Sequence, residues 1–228
     1  MDLFYGSLNI QKNDLDKERR ALTRIWAKRE RQLEIVIESD WTGRAKRVLK
    51  DSGSMYLVSG TTNLLDILSA LKQHDLKIIN HIIWHYNFGV YTKNKYATSH
   101  YHILYVAKNP KDVRLNTFSR YPEDQVKSGY ADRQNVWFIK REFWKNCQKN
   151  STNLPKELVK KMIEYSSQEG DLIFDPFAGS GQVPFVAKAL GRNYIACEVM
   201  PDVYEFAKQR LDTDEYLISK ASISTPCL

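Results

Sequence analysis

The sequence predicts an α/β protein with a doubly wound, mostly parallel sheet of the Rossmann-like kind, and two patterns support this prediction. Strand and helix patterns alternate in the C-terminal third, which is typical of parallel strands covered by helices. The expected order is helix 155 to 167, strand 172 to 175, helix 183 to 190, strand 193 to 197 and helix 202 to 211. In the middle of the chain, apolar runs at 77 to 84 and 102 to 107 predict an antiparallel hairpin.

The remainder of the chain adds further strands and helices. We expect a short apolar strand within residues 1 to 10, one or two amphipathic helices over 12 to 50, a strand in SMYLVS after Gly53, and a helix from Asn63 to Lys72. Residues 108 to 153 combine weak periodicity with many charges and aromatic side chains, so an irregular insert is expected there. The whole chain, 1–228, is predicted to form a single domain.

Composition and charge restrict the class of protein. A chain of 228 residues, 43% of them hydrophobic, is long enough for one sizeable core. The net charge of +7 favours a polyanionic partner, nucleic acid before an anionic membrane surface. The three cysteines (Cys147, Cys197 and Cys227) are too scattered for a disulfide framework or a zinc site, and no apolar run reaches membrane-spanning length. We therefore expect a cytoplasmic protein that needs no metal ion and no membrane.

The segment DLIFDPFAGSGQVPFVAKALGRNYIACEV, residues 171 to 199, predicts a strand–helix–strand unit with a ligand site. In such units a ligand lies beyond the end of the first strand, against the start of the following helix. Gly179 and Gly181 permit a tight turn and close approach of the backbone to a ligand. Glu198 follows the second strand, where an acidic side chain can accept both hydroxyl groups of a ribose. The segment therefore predicts an adenosine-containing cofactor.

The residues around the turn distinguish between such cofactors. A dinucleotide fingerprint requires a third glycine, but Pro184 stands there, and the carboxylate of Asp175 would repel a pyrophosphate. The same carboxylate suits the ammonium group of an amino acid. S-adenosylmethionine fits best, while the alternative is that the glycines serve only a tight turn.

The sequence resembles the amino-methylating DNA methyltransferases, which transfer a methyl group to adenine N6 or cytosine N4. DPFAGSG and LGRNYIACE are similar to their cofactor motifs, and the chain resembles the subgroup in which these follow the catalytic motif. NSTNLPKELVKKMIEYSSQEGD is similar to the family's helix that closes over the methionine part of the cofactor. The resemblance implies a cofactor site formed by Thr152, Pro155, Asp175, Pro176, Phe177, Gly179, Ser180, Gly181 and Glu198.

The N-terminal residues depart from the family pattern. The family carries a catalytic tetrapeptide, Asp/Ser/Asn-Pro-Pro-Tyr/Phe, at the end of a strand, and no Pro-Pro-Tyr occurs in this sequence. One alignment places Ser7 at the head of the tetrapeptide, with Tyr5 as a substitute stacking ring. The other places Asp2 to Tyr5 on the tetrapeptide. Either the protein has lost this motif, or the natural chain carries a further loop between Ser7 and Asn9.

The resemblance implies a site-specific DNA methyltransferase of a restriction-modification system, with adenine N6 narrowly favoured over cytosine N4. Such enzymes extract the target base from the duplex and stack it in a pocket. The alternative is a catalytically defective subunit that holds cofactor and DNA while a partner chain supplies the chemistry. Methylation of RNA or protein is a third reading, which the order of motifs does not support. Double-stranded DNA is the implied partner, with a homodimer or a partner methyltransferase subunit as further assemblies.

The insert is the predicted DNA-contact region, because basic and aromatic residues alternate there and the family keeps target recognition in this position. Its basic residues can meet phosphates while polar side chains contact base edges. The competing interpretation is a solvated surface whose aromatic residues face the core. The candidate DNA-binding residues are Arg114, Arg120, Lys127, Arg133, Lys140 and Arg141.

If these basic residues neutralise phosphates, DNA affinity will fall steeply with salt. The slope of log affinity against log salt concentration is expected to be about −0.9 for each phosphate contacted. Fluorescence anisotropy of a labelled duplex, titrated at several salt concentrations, measures this slope. A flat salt response would count against DNA as the partner.

Overall fold

The computed structural model describes residues 4–5, 40–87, 89, 93–116, 134–142 and 153–213, with the backbone alone described at 4–5. Its strands are β1 (Phe4–Tyr5), β2 (Ser54–Ser59), β3 (Lys77–His85), β4 (His100–Ala107), β5 (Val136–Phe138), β6 (Leu172–Asp175) and β7 (Asn193–Ala196). Its helices are α1 (Trp41–Val48), α2 (Leu64–Gln73), α3 (Lys156–Ser166), α4 (Gln182–Ala189) and α5 (Pro201–Asp212), and a 3-10 turn at Thr61–Asn63 precedes α2.

The strands form a five-stranded sheet in the order β1-β2-β4-β3-β5 and a two-stranded parallel sheet of β6 and β7. β4 runs antiparallel to both of its neighbours, β2 and β3, while β5 is parallel to β3. Consequently β2, β3 and β5 point in one direction. β1 pairs antiparallel with β2, and its Cα atoms also come within 8 Å of those of β6. The α/β class and the predicted hairpin, β3 with β4, are confirmed.

Two hydrophobic clusters cover opposite faces of the large sheet, because alternate residues of each strand face opposite sides. On one face Trp84 and Ile103 pack with Leu158 of α3 and Phe185 of α4. On the other face the core consists chiefly of Met55, Leu57 and Leu104 packed with Leu49, Ile67 and Leu71. Helices on both faces of the sheet give the three-layer arrangement that the alternating pattern predicts.

The predicted C-terminal elements agree with the structure to within one residue at each end. Among the strands of the described residues, the sequence pattern missed β5, which lies inside the segment expected to be irregular. It buries Trp137 while its neighbours Val136 and Phe138 are exposed. Three residues are too few to show a recognisable alternation, and their partner β3 lies about fifty residues earlier in the chain. Of the helical region predicted over 12 to 50, only α1 falls within the described residues.

None of the helices in the described ranges combines the length and the apolar character needed to cross a membrane.

Replacing Leu158 by Ala should destabilise the protein strongly, because this side chain is fully buried between α3 and the sheet. The expected loss is about 2–5 kcal/mol of the free energy of unfolding. Leu65→Ala in α2 is the matched control, since Leu65 is 73% exposed and should change stability by less than about 0.5 kcal/mol. Urea denaturation of both variants measures the difference. Equal effects would contradict the placement of α3 against the core.

Candidate cofactor site

The glycine turn after β6 is fixed by backbone hydrogen bonds. Ala178 donates its N–H to the carbonyl of Cys197 at 2.8 Å, which ties the turn to the end of β7. Gly179 and Gly181 have φ angles of +50° and +76°, in the left-handed region that favours glycine. A Cβ atom at Gly181 would lie 3.0 Å from that of Ala207, whereas one at Gly179 would meet nothing within 4 Å. Gly181 therefore allows α5 to pack, while Gly179 borders open space in which a ligand can approach the backbone.

Glu198 lies just beyond β7 and holds the turn through its carboxylate. Its Oε2 accepts the N–H of Gly179 at 2.9 Å, and its Oε1 accepts the N–H groups of Val199 and Met200 at 2.9 and 2.8 Å. These bonds join the glycine turn to the two residues immediately before α5. Because each carboxylate oxygen has two lone pairs, Oε2 keeps capacity for a further donor.

Asp175 is the last residue of β6, and its carboxyl group is almost fully buried. Oδ1 accepts the N–H of Phe177 at 3.0 Å, but Oδ2 has no hydrogen-bond partner among the described residues. Burial raises the pKa of this carboxyl to about 7, and the nearby charge of Glu198 also raises it, while the hydrogen bond from Phe177 opposes the shift. An unpartnered buried oxygen is costly, so this position suits a ligand that donates a hydrogen bond or carries a positive charge.

The segment before α3 lies against the glycine turn, as the family resemblance implies. Ser180 donates its hydroxyl hydrogen to Oδ1 of Asn153 at 2.9 Å. Leu154 and Pro155 follow, both buried, and Pro155 is the residue immediately before α3. Pro155 thus lies two positions after Asn153, the residue bonded to the turn, while Thr152 lies outside the described residues.

Arg210 of α5 supports the turn from the side of the core and was missed in the sequence. Its Nη1 donates to the carbonyl of Ser180 at 3.1 Å, and its Nη2 donates to Oε1 of Gln182 at 2.5 Å. Its guanidinium group lies 4.1 Å from the centre of the Phe185 ring. No local pattern identifies such a residue, since its partners lie about thirty positions earlier in the chain. Asn153 was also not predicted as a site residue from the sequence. The only signal for it was its position in the segment before α3 that resembles the family's motif.

The predicted DNA-contact residues are separated by the structure. Lys140 is exposed, and the guanidinium of Arg141 lies 5.2 Å from the ring centre of Tyr86 and 5.9 Å from that of Tyr101. Arg114 instead lies 3.4 Å from the carboxylate of Asp171, beside the start of β6 and at the opposite end of that strand from Asp175. Lys140 and Arg141 are neighbours, but Arg114 is not part of their group.

The remaining predicted residues lie elsewhere. Arg120, Lys127, Arg133 and the catalytic candidate Ser7 are outside the described residues. The backbone of Tyr5 lies in β1, which approaches β6. Within the described ranges, no group of His, Cys, Asp or Glu side chains has the arrangement of a metal site.

The three-layer fold and the glycine turn at the end of β6 define a Rossmann-like methyltransferase architecture. The family model N6_N4_Mtase, described as DNA methylase, matches residues 12–209. This span covers most of the chain, and the chain belongs to this DNA methylase family.

Curated relatives are similar over about three quarters of the chain. They include the type II methyltransferase M.HpaI of Haemophilus parainfluenzae, 33% identical over 183 residues that cover 77% of this chain and 58% of the relative. The type II methyltransferase M2.DpnII of Streptococcus pneumoniae is 33% identical over 76% of this chain and 66% of its own length. The DNA adenine methyltransferase YhdJ of Escherichia coli (strain K12) is 30% identical over 73% and 63%. The chain thus spans about six tenths of the length of these relatives.

Solved structures show the same fold at low sequence identity. The M1.HpyAVI–SAM complex superposes with a TM-score of 0.62 at 20% identity, over 76% of this chain and 81% of that chain. The PvuII DNA methyltransferase, described as cytosine-N4-specific, gives a TM-score of 0.63 at 12% identity, over 79% and 73%. At these identities the comparison establishes the architecture only.

The raised pKa of Asp175 should make stability depend on pH. The carboxyl titrates near 3.8 when unfolded and at about 7 when folded, so between these values the folded protein holds a proton that the unfolded chain has released. Stability should therefore fall as pH rises through this window, by up to about 1.4 kcal/mol per pH unit, and then level off.

Urea denaturation between about pH 4 and pH 8 tests this dependence by comparing the wild type with Asp175→Asn. The variant should lack this part of the slope, because an amide does not titrate. Asp202→Asn, at an exposed position in the first turn of α5, is the control and should keep the slope. Identical slopes in the wild type and Asp175→Asn would show that Asp175 is not buried as an acid.

Proposed function

We propose that this chain is an S-adenosylmethionine-dependent DNA methyltransferase that modifies an exocyclic amino group. The observation that carries the proposal is the unpartnered oxygen of buried Asp175 beside Glu198, around a glycine turn open to a ligand. The two acidic residues lie at or just beyond the ends of the neighbouring parallel strands β6 and β7, where Rossmann-like folds bind their ligands. Membership in the DNA methylase family supports the same reaction class.

The residues of the turn fit the cofactor's chemistry. The ribose hydroxyl groups would donate to Glu198, whose Oε2 retains acceptor capacity. The ammonium group of the methionine part would occupy the position opposite Oδ2 of Asp175 and convert this carboxyl to its charged form. When bound, S-adenosylmethionine supplies an activated methyl group on its sulfonium. The surrounding chain then has to orient the acceptor amine and exclude water.

Adenine N6 is the proposed acceptor, ahead of cytosine N4. The relative YhdJ is named a DNA adenine methyltransferase, and it is 30% identical over 73% of this chain. The PvuII enzyme, which is described as cytosine-N4-specific, shares only 12% identity with this chain. The type II methyltransferase relatives support a place in a restriction-modification system. Double-stranded DNA is the proposed substrate and the cytoplasm the proposed location. The DNA contacts are assigned to the insert, in which Lys140 is exposed.

A second function is favoured by one sequence observation, the absence of a Pro-Pro-Tyr tetrapeptide. Without it, the amine lone pair lacks the proline carbonyl that would localise it, and Ser7 and Tyr5 would have to take over catalysis. If these two residues do not supply that role, the chain would serve as a cofactor- and DNA-binding subunit, and a partner methyltransferase chain or a second copy would complete the site.

Methyl-transfer assays distinguish these functions. The protein is incubated with S-adenosylmethionine carrying a labelled methyl group and with mixed DNA, RNA and protein substrates. We expect label in DNA, and mass spectrometry of the digested nucleosides to identify N6-methyladenine. N4-methylcytosine would revise the acceptor. Cofactor binding without any transfer would favour the subunit function, and label only in RNA or protein would contradict the proposal.

Glu198→Ala should weaken S-adenosylmethionine binding by about 1–3 kcal/mol, the scale of a lost hydrogen bond to a charged group. This corresponds to about a 5- to 150-fold rise in the dissociation constant. Glu205→Ala removes the same charge from an exposed position on α5 and should bind normally. Isothermal titration calorimetry measures both variants. Unchanged affinity for Glu198→Ala would remove this residue from the site.

A further inference from the structure

The start of α3 is capped by a side chain from the insert. Oε1 of Glu142 accepts the N–H of Lys156, the first residue of α3, at 2.9 Å across 14 positions in sequence. The preceding residue, Pro155, has no side-chain acceptor that could fill this role. The first N–H groups of a helix have no partner within it, and a negative charge is favourable there. Glu142 therefore supplies the hydrogen-bond acceptor and the negative charge that Pro155 does not provide.

The same helix start is joined to the glycine turn. Three positions before Lys156, the amide oxygen of Asn153 accepts the hydroxyl of Ser180 at 2.9 Å. The ammonium group of Lys156 lies 5.3 Å from the ring centre of Phe185 in α4, the helix that follows the turn. A displacement of the start of α3 would therefore also disturb the contacts that Ser180 and Phe185 make with it.

The residues that precede Glu142 in the chain are hydrogen-bonded to the edge of the sheet. Ile139 donates its N–H to the carbonyl of His85 at 3.2 Å and accepts the indole N–H of Trp84 at 2.8 Å. Arg141 then lies over the rings of Tyr86 and Tyr101. The two residues before Glu142 are Lys140 and Arg141, both assigned above to DNA contact.

We propose that Glu142 couples DNA contact by the insert to cofactor binding at the glycine turn, so that each ligand raises the affinity for the other. This inference rests on the proposed function. When DNA binds the insert, it stabilises the hydrogen bond between the Glu142 carboxylate and the N–H of Lys156 at the start of α3. This in turn positions Asn153 to accept the hydrogen bond from Ser180. By linkage, cofactor binding raises the affinity for DNA by the same factor. Glu142 touches neither ligand and acts as a positioning residue.

The coupling is measured as a ratio of two dissociation constants. S-adenosylhomocysteine, which cannot be turned over, is titrated by calorimetry into the protein alone and into the protein saturated with mixed-sequence plasmid DNA. In the wild type the affinity should rise by about 5- to 150-fold with DNA, the usual range for coupled sites. A purely structural cap would not alter this ratio, because its loss would weaken binding equally with and without DNA.

Four variants identify the side chain responsible. Glu142→Ala should bring the ratio close to one. Glu142→Asp, which withdraws the carboxylate by one methylene, should lower it as well and provides a second test if the alanine variant does not fold. Glu142→Gln keeps an acceptor oxygen and should retain most of the ratio, as should Glu205→Ala, the charge-matched control.

The proposal is overturned if Glu142→Ala keeps the wild-type ratio, if Glu205→Ala loses it equally, or if the wild type binds both ligands with a ratio of one. A wild type that binds neither ligand would instead contradict the proposed function itself, so the two failures are distinguishable.

Discussion

The carboxylate of Glu198 accepts backbone N–H groups from both the glycine turn and the two residues immediately before α5, and the geometry of the site depends on these bonds. They fix the turn that follows β6 relative to the end of β7. Arg210 reinforces the same turn by its bond to the carbonyl of Ser180 and by its contact with Phe185. A cofactor pocket is therefore prepared by the fold before any ligand is present, which lowers the cost of ordering the turn on binding.

Asp175 differs from Glu198 and Arg210, because the described protein groups do not satisfy all of its hydrogen-bonding capacity. Burial raises the pKa of its carboxyl to about 7, and one oxygen lacks a partner in the described structure. Burying such a group reduces stability, and natural proteins retain groups of this kind mainly where function requires them. A cationic ligand would recover the lost interaction, so the same residue that weakens the free protein contributes to ligand binding. This is the physical reason for assigning the cofactor's ammonium group to this position.

The features that were predictable from the sequence are local in the chain. The β6–α4–β7 unit follows from hydrophobic periodicity and from two glycines, and its ends agree with the structure closely. Asp175 and Glu198 could be named because strand ends in such a unit have defined places. Contacts between distant segments could not be named, as Arg210 on the turn and Glu142 on the start of α3 show. Arg114 is a further example. Its charge suggested a DNA contact within the insert, but its partner Asp171 lies beside the start of β6, at the end of that strand far from Asp175.

The most direct test of the assigned cofactor site is a count of the protons released when S-adenosylmethionine binds. Calorimetric titrations at about pH 6, below the raised pKa of about 7 of this carboxyl, in buffers of different protonation enthalpy give this number. If the ammonium group lies against Asp175, binding should release most of one proton, and Asp175→Asn should abolish the release. Binding without proton release, or the same release from the variant, would contradict the assignment.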